Sequence, residues 1–303
     1  EVVVEKTTLE TVTDRGFLKC GVSGSAVAFS ETQADGSVTG IDADYCYAVA
    51  AAVFGDYSKV EFTALTAAER FTALSAGEVD LLIRNTTWTQ SRDTDLGNDF
   101  GPTTYYDGQQ LMGRNSDGLS GSSSLADIDG LRVCTNAGTT TEKNITEGAG
   151  LVGASIELVT VEAFPEAMEK FKAGECDLVT TDGSGLVGNR AKEDKMNDWA
   201  IFPATPISKE PLGPVYRSND SQWADIVNWT VYATFIADQI GNGGAQHLGV
   251  GGGARHVELH VAGPPWGLVT PPGKPPRRVA VASPTRRAVT CVEPYSSFIR
   301  GGF

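Results

Sequence analysis

The chain has 303 residues, enough for two domains of ordinary size, with 41% apolar and 20% charged residues, a balance normal for a globular protein. Its formal net charge of −14 argues against nucleic acid or anionic lipid as the main partner. No apolar run is long enough to span a bilayer, and the start, EVVVEKTTLETV, reads as a chain whose export signal has been removed or was never there.

Taken in order, LETVTDRGF opens with a helical turn, LKCGV is a strand, and a Gly/Ser loop follows. DGSVTG over 35–40 is a hairpin-like turn. DADYCYAVAAAVF fits an amphipathic helix capped by Asp42 and stopped by Gly55, and KVEFTAL is a strand. TYYDGQQLMGRN reads as an extended crossover near 104–114. SDGLSGSSSLADIDG is a link with a short helix, LRVCTN a strand, GTTTEKNI a turn and helix start, and IELVTV a strand. DGSGLVGNRAKE suggests a helix capped by Asp182, and the Pro-punctuated WAIFPATPISKEPLGPVYR supplies a second crossover near 205–217. SQWADIVNWTVYATFIAD is a helix with Trp223, Ile226, Val227, Thr230 and Val231 at helical spacing.

One phrase is written twice. AGEVDLL at 76–82 returns as AGECDLV at 173–179, 97 residues later. Each copy follows a helical run and leads into an apolar strand with polar residues at its end. Gly77 and Gly174 sit where a helix terminates in the left-handed conformation, and Asp80 and Asp177 fall in the turn. Open α/β sheets bind ligands at the carboxyl ends of their strands. Two such units facing each other make an α/β protein of two lobes with a polar ligand between them. Two extended crossovers joining the lobes serve as a hinge.

TLETVTDRGFLKCGVS, GIDADYCYAVAAAVFGD, ERFTALSAGEVDLLIRNTTWTQSRDT, TTYYDGQQLM, GTTTEKN, AGECDLVTTDGSGL and SKEPLGPVYR resemble the polar amino-acid-binding proteins of bacterial ABC importers, over about residues 8–238. The nearest branch is the general L-amino-acid or glutamate/glutamine/aspartate/asparagine binders. The resemblance implies a periplasmic-binding-protein-like fold of type II, with lobe 1 at 8–114 plus 209–240 and lobe 2 at 115–208. It implies a periplasmic monomer without cofactor or metal, which binds a polar L-amino acid and delivers it to an inner-membrane ABC permease by lobe closure.

The resemblance also assigns site residues. Arg92 matches the arginine that grips the ligand α-carboxylate, a role suited to a guanidinium fork. Asn85 and Thr87 match positions that supply backbone and hydroxyl contacts. Thr140 matches the residue completing the carboxylate site at a helix start, where free N–H groups attract anions. Thr139 with Glu142 also fits a capping box. Asp182 matches the aspartate that binds the ligand ammonium, although from spacing alone a helix cap explains it equally well. Arg70 matches an arginine facing the side-chain carboxylate in acidic amino-acid binders; otherwise it is a helix-surface residue paired with Glu69 or Glu78. Ala26 and Ala67 fall where many relatives carry aromatics. Trp88 fits either the pocket or the core.

Cys20 and Cys46 fall in the first lobe and Cys134 and Cys176 in the second, so Cys20–Cys46 and Cys134–Cys176 disulfides are expected, as suits an oxidising periplasm. Cys291 is left over. An enzyme on the same scaffold, dehydratase-like, is the main alternative; it needs a general acid or base in the cleft, and residues 1–240 contain no histidine. A sensor ligand domain is a third reading.

Composition breaks near residue 240. The last 63 residues hold all three histidines, eight of the 14 prolines, seven basic and two acidic residues, and no aspartate. They fall outside the resemblance and show neither helical nor strand periodicity, so 241–303 is expected to be a disordered tail or a frameshifted reading of the gene's end. HVELH at 256–260 has histidines at zinc-ligand spacing, but its Gly/Pro-rich surroundings cannot hold the helix such a site requires.

Overall fold

The computed structural model describes residues 6–241 and three short strands beyond them, His256–Leu259, Val279–Val281 and Ala288–Thr290. The described residues fall into two compact units. One holds the residues up to Leu18, Tyr45–Val60 and the chain from Gln222 on; the other holds Lys19–Asp44 and Glu61–Ser221.

The first unit contains helix α1 (Thr8–Arg15), most of α2 (Ile41–Phe54), and α8 (Ser221–Gly241), which runs three residues past the expected end at Asp238. α1 starts in a capping box made by Thr7 and Glu10. α2 is not amphipathic as expected: Ala43, Tyr45, Cys46, Ala48, Val49, Ala50 and Ala51 are all buried, leaving little polar face. Asp42 lies inside its first turn rather than capping it.

The second unit carries two five-stranded sheets with one topology. The strands of the first are β1 (Leu18–Val22), β2 (Val60–Ala64), β3 (Leu81–Leu82), β4 (Asn98–Phe100) and β12 (Val215–Arg217), in the order β2-β1-β3-β12-β4. The crossover strand β5 (Tyr105–Asp107) leads to the second sheet. Its strands are β6 (Gln109–Arg114), β7 (Arg132–Asn136), β8 (Glu157–Val161), β9 (Leu178–Asp182) and β10 (Trp199–Phe202), in the order β8-β7-β9-β6-β10. In both sheets a parallel trio is followed by the strand that arrives from a crossover, running antiparallel. The crossovers pair with each other: β5 and β11 (Glu210–Leu212) form a two-stranded antiparallel ribbon with Asp107 opposite Glu210. Helices α3 (Arg70–Ser75), α4 (Gln90–Asp95), α5 (Thr140–Leu151), α6 (Phe164–Ala173) and α7 (Gly183–Lys192) complete the unit.

Strand alternation explains the core. Leu111, Val133 and Leu178 pack on one face of the second sheet with Ile145 and Phe202, while Met112, Cys134 and Val179 pack on the other with Phe171 and Trp199. Both faces are covered, as expected for strands that read as apolar runs. Cys20, Cys46, Cys134 and Cys176 are all disulfide-bonded. The Cys134–Cys176 bond ties β7 to the turn before β9 across 42 residues, worth about 4 kcal/mol by loop entropy.

The repeated phrase builds the same turn twice. Gly77 and Gly174 take φ of 74° and 76°, closing α3 and α6. The N–H of Glu78 returns to the Ala73 carbonyl, and that of Glu175 to the Lys170 carbonyl. The aspartates then clamp the neighbouring first strand: Asp80 Oδ2 accepts from Lys19 N–H at 2.8 Å, and Asp177 Oδ2 from Arg132 N–H at 2.9 Å. Their own N–H groups donate to the carbonyls of the same two residues.

The expected disordered or frameshifted tail lies almost wholly outside the described residues, as does Cys291. Where strands are described, they differ from the expectation of no strand periodicity. His256–Leu259 pairs antiparallel with Val279–Val281 and parallel with Ala288–Thr290, short β-branched runs that suit a ladder. His256, the first histidine of HVELH, thus lies in a strand, not a helix.

Asp80 is 2% exposed and holds the backbone N–H of Lys19. Asp80→Ala is expected to lower unfolding free energy by about 1–3 kcal/mol, read from urea unfolding; a loss under about 0.5 kcal/mol would mean that the clamp carries no stability.

Candidate functional site

A cavity of about 220 Å³ lies within the second unit, where the ends of β3 and β9 meet the start of α5. Six of the seven residues singled out in the sequence line it: Arg70, Asn85, Thr87, Thr139, Thr140 and Asp182. Arg92 does not. It sits on α4, 9% exposed, and donates from Nη1 to the carbonyl of the lining residue Thr87 at 2.9 Å, with its guanidinium 5.3 Å from the Phe71 ring centroid. It is therefore not the solvated loop arginine that its neighbours Asp93 and Asp95 suggest.

Arg70 is not a surface residue either. It is 3% exposed, its Nε meets no acceptor among the described residues, and its Nη1 reaches only Thr86 Oγ1 at 3.4 Å. Glu69, the expected partner, instead accepts from Thr66. A third arginine, Arg84, lines the cavity at 8% exposure and donates through Nε to the Leu65 carbonyl at 2.9 Å. No ion pair to a carboxylate is recorded for any of the three among the described residues. Burial first, then Arg92 and Arg84, pulls the Arg70 pKa well below its ordinary value. Burial likewise brings Arg84 down to about 10, with Asp42 opposing, and lowers Arg92, with Glu210 and Asp182 opposing. Carboxylates thus act on the three buried cations without forming a close ion pair with them among the described residues.

Asp182 also lines the cavity, at the end of β9, and is 6% exposed. It occupies the cap position of α7, yet its side chain makes no capping bond. Burial, then the charges of Asp107 and Glu210, pushes its carboxyl well above the usual range, while Arg70 and Arg92 pull it back. Thr139 does cap α5, accepting from Glu142 N–H at 3.0 Å, but the expected box is half-formed, because Glu142 turns to Gly138 N–H. Thr140 Oγ1 donates to Glu210 Oε2 at 3.0 Å and lies 3.5 Å from Thr87 Oγ1, so residues of the two sheets' halves meet beside the cavity. Farther out, Lys192 pairs with Glu31, and a Cβ on Gly188 would stand 3.0 Å from the Val27 side chain. Trp88 lines neither cavity nor core; it is 40% exposed and stacks on Phe100.

Sequence reading missed Arg84, Asp42, Asp107 and Glu210. Asp42 is 1% exposed, and its Oδ2 accepts from Asn85 N–H at 2.6 Å. Asn85 takes a φ of 34°, a left-handed conformation that asparagine tolerates. Asp107 accepts from Ser184, and Glu210 from Asn144 at 2.8 Å, so the two crossover acids each hold the second sheet's helices. The motif IRN offered one signal: an arginine closing an apolar strand.

The model of the bacterial extracellular solute-binding proteins, family 3, matches residues 18–235. The general L-amino acid-binding periplasmic protein AapJ of Rhizobium johnstonii is 46% identical over 235 residues, covering 78% of this chain and 68% of its own. The glutamate/glutamine/aspartate/asparagine-binding protein BztA of Rhodobacter capsulatus is 45% identical, covering 77% and 68%. Among solved structures, a periplasmic binding protein from Brucella ovis with glutathione bound is 46% identical, with a TM-score of 0.73 over 78% of this chain and 73% of that one. The fold is accordingly the two-lobed, type II kind, one sheet to each lobe, with two crossover strands between.

Burial pushes the Asp42 carboxyl up to about 7, against the Asn85 N–H and Arg84, which lower it. An unfolded aspartate titrates near about 3.9. Between those values the folded chain keeps a proton that the unfolded chain has released. The stability that this group contributes is thus complete below about pH 4 and is lost as pH rises to about 7. Asp42→Asn is expected to flatten that decline. Denaturant unfolding across this range checks it; parallel pH profiles for both proteins would mean an unshifted carboxyl.

Proposed function

The chain belongs to the bacterial extracellular solute-binding proteins, family 3, and from that premise we propose that it captures polar L-amino acids, glutamate, glutamine, aspartate and asparagine above all, for an ABC permease. One observation carries the reading: two buried arginines without a close ion pair among the described residues, Arg70 and Arg84, line one cavity with the buried Asp182. A zwitterion is costly to bury unless both charges are met. Arg92, with Thr140 and the N–H groups at the start of α5, takes the α-carboxylate. Asp182 takes the ammonium, with the Asn85 backbone and the Thr87 hydroxyl adding polar contacts, and Arg70 faces an acidic side chain. For Arg92 to reach the ligand, its guanidinium must share donors between the Thr87 carbonyl and the carboxylate; its five N–H groups allow that.

The lobes, 8–114 plus 209–240 and 115–208, close over the ligand about β5 and β11, and ligand shifts that equilibrium by binding the closed form better. The protein works as a periplasmic monomer and returns its ligand unchanged. The absence of histidine from residues 1–240 supports transport over catalysis, and among the described residues no helix is long and apolar enough to cross a membrane. Glutathione is a second ligand to consider, because the Brucella ovis protein holds it and because Ala26 and Ala67 leave the cavity wall small. The cavity volume of about 220 Å³ falls below the roughly 300–1,000 Å³ of sites for drug-sized ligands, which favours a single amino acid.

Calorimetry with the twenty L-amino acids and glutathione tests this. Arg92→Ala and Asp182→Asn are each expected to weaken binding by about 2–5 kcal/mol without unfolding the protein. Arg70→Ala should penalise glutamate and aspartate more than alanine. Near-native affinity in Arg92→Ala would remove the carboxylate clamp, and recovery of a chemically altered ligand would mean an enzyme.

A further inference from the structure

A receptor built from Arg92, Asp182 and Arg70 leaves two consecutive cavity residues unused, Arg84 and the side chain of Asn85. Arg84 commits only Nε, to the Leu65 carbonyl, so its terminal amino groups donate to no described residue. Asn85 Oδ1 is buried and accepts no hydrogen bond among the described residues. Asp42 holds the Asn85 backbone through its 2.6 Å bond to Asn85 N–H, and its charged form favours the charged Arg84. Arg70 lies near enough for its charge to oppose that of Arg84.

Charge alone does not explain acceptance of amides beside acids. Arginines reward a carboxylate and leave the –NH₂ of a carboxamide facing donors, and a polar site rejects a ligand whose groups it cannot pair. An amide side chain carries a donor and an acceptor on one rotatable end. We propose that Arg84 and Asn85 form a single recognition edge for the end of the ligand side chain, serving carboxylate and carboxamide alike. The inference rests on the amino-acid receptor reading above. A carboxamide gives its oxygen to Arg84 and its N–H to Asn85 Oδ1. A carboxylate takes Arg84 and, after a half-turn of the Asn85 amide, its Nδ2–H. The backbone does not move, because Asp42 holds it.

The experiment is calorimetry on the full chain with L-glutamate, L-glutamine, L-aspartate, L-asparagine and L-alanine. Aspartate tolerates the left-handed backbone at 85, so Asn85→Asp retains the fold, checked by thermal unfolding. It fixes an acceptor where the amide could rotate. Glutamate and aspartate should then weaken about 10- to 100-fold more than glutamine and asparagine. Arg84→Met should weaken all four while alanine stays within about threefold of wild type. If Asn85→Asp does not fold, Asn85→Ser replaces it, with loss expected for the four long ligands and not for alanine. An equal loss for all five ligands, or an unchanged glutamate-to-glutamine ratio in Asn85→Asp, overturns the proposal while the receptor reading stands. Wild-type protein that binds none of the five overturns both.

Discussion

The site depends on a small backbone constraint used twice. A carboxylate in a helix-to-strand turn grips the N–H of the adjacent first strand, Asp80 on Lys19 and Asp177 on Arg132. Each bond sets the height at which the outgoing strand enters its sheet. From there the register is fixed: Leu81 opposite Cys20, and Leu178 opposite Val133. A slip of one residue would turn every side chain to the wrong face. Held in place, β3 delivers Arg84 and Asn85, and β9 delivers Asp182, to one cavity. The glycines before the aspartates are needed because each helix must end left-handed within a single residue. The polar ends of two strands thus meet because two turns are the same.

Charges of both signs gather in and around the cavity. The arginines come from α3, the segment just beyond β3, and α4, and the acids Asp182, Asp107 and Glu210 from β9 and the crossover ribbon. They influence one another without forming close ion pairs. Burial weakens the charges of Arg70, Arg84, Arg92 and Asp182, and in the function proposed above a ligand carrying both signs relieves them together. Glu210 connects this chemistry to the scaffold, since it stands on a crossover strand and holds Thr140 and Asn144 of α5.

Much of this was legible in the chain. The repeated phrase, the two crossovers and the polar ends of the two strands are local patterns, and resemblance placed Arg70, Asn85, Thr87, Thr139, Thr140 and Asp182. What escaped notice depends on partners far away in sequence. Asp42 reads as a helix cap until β3 brings Asn85, 43 residues on, against its carboxylate. Arg84 reads as a strand residue because its burial follows from sheet register. Glu210 sits among prolines that mark only an extended segment. Arg92 stands outside the cavity lining, since helix α4 turns it toward the carbonyl of the lining residue Thr87, a detail of side-chain direction that spacing does not encode.

The strand order carries a consequence for how the chain assembles itself. All five strands of the second sheet lie between Gln109 and Phe202, an unbroken stretch. The first sheet is different. Its fourth position belongs to Val215–Arg217, which pairs with β3 on one side and β4 on the other. Until that segment leaves the ribosome, β4 has no neighbour, and the carbonyls of Leu74 and Val79 lack the guanidinium of Arg217 that later bonds both. Non-local pairings wait on loop closure, and here the loop is the entire other sheet. The lobe begun first is therefore the lobe finished last, and a nascent chain carries an open β3 edge through most of its synthesis.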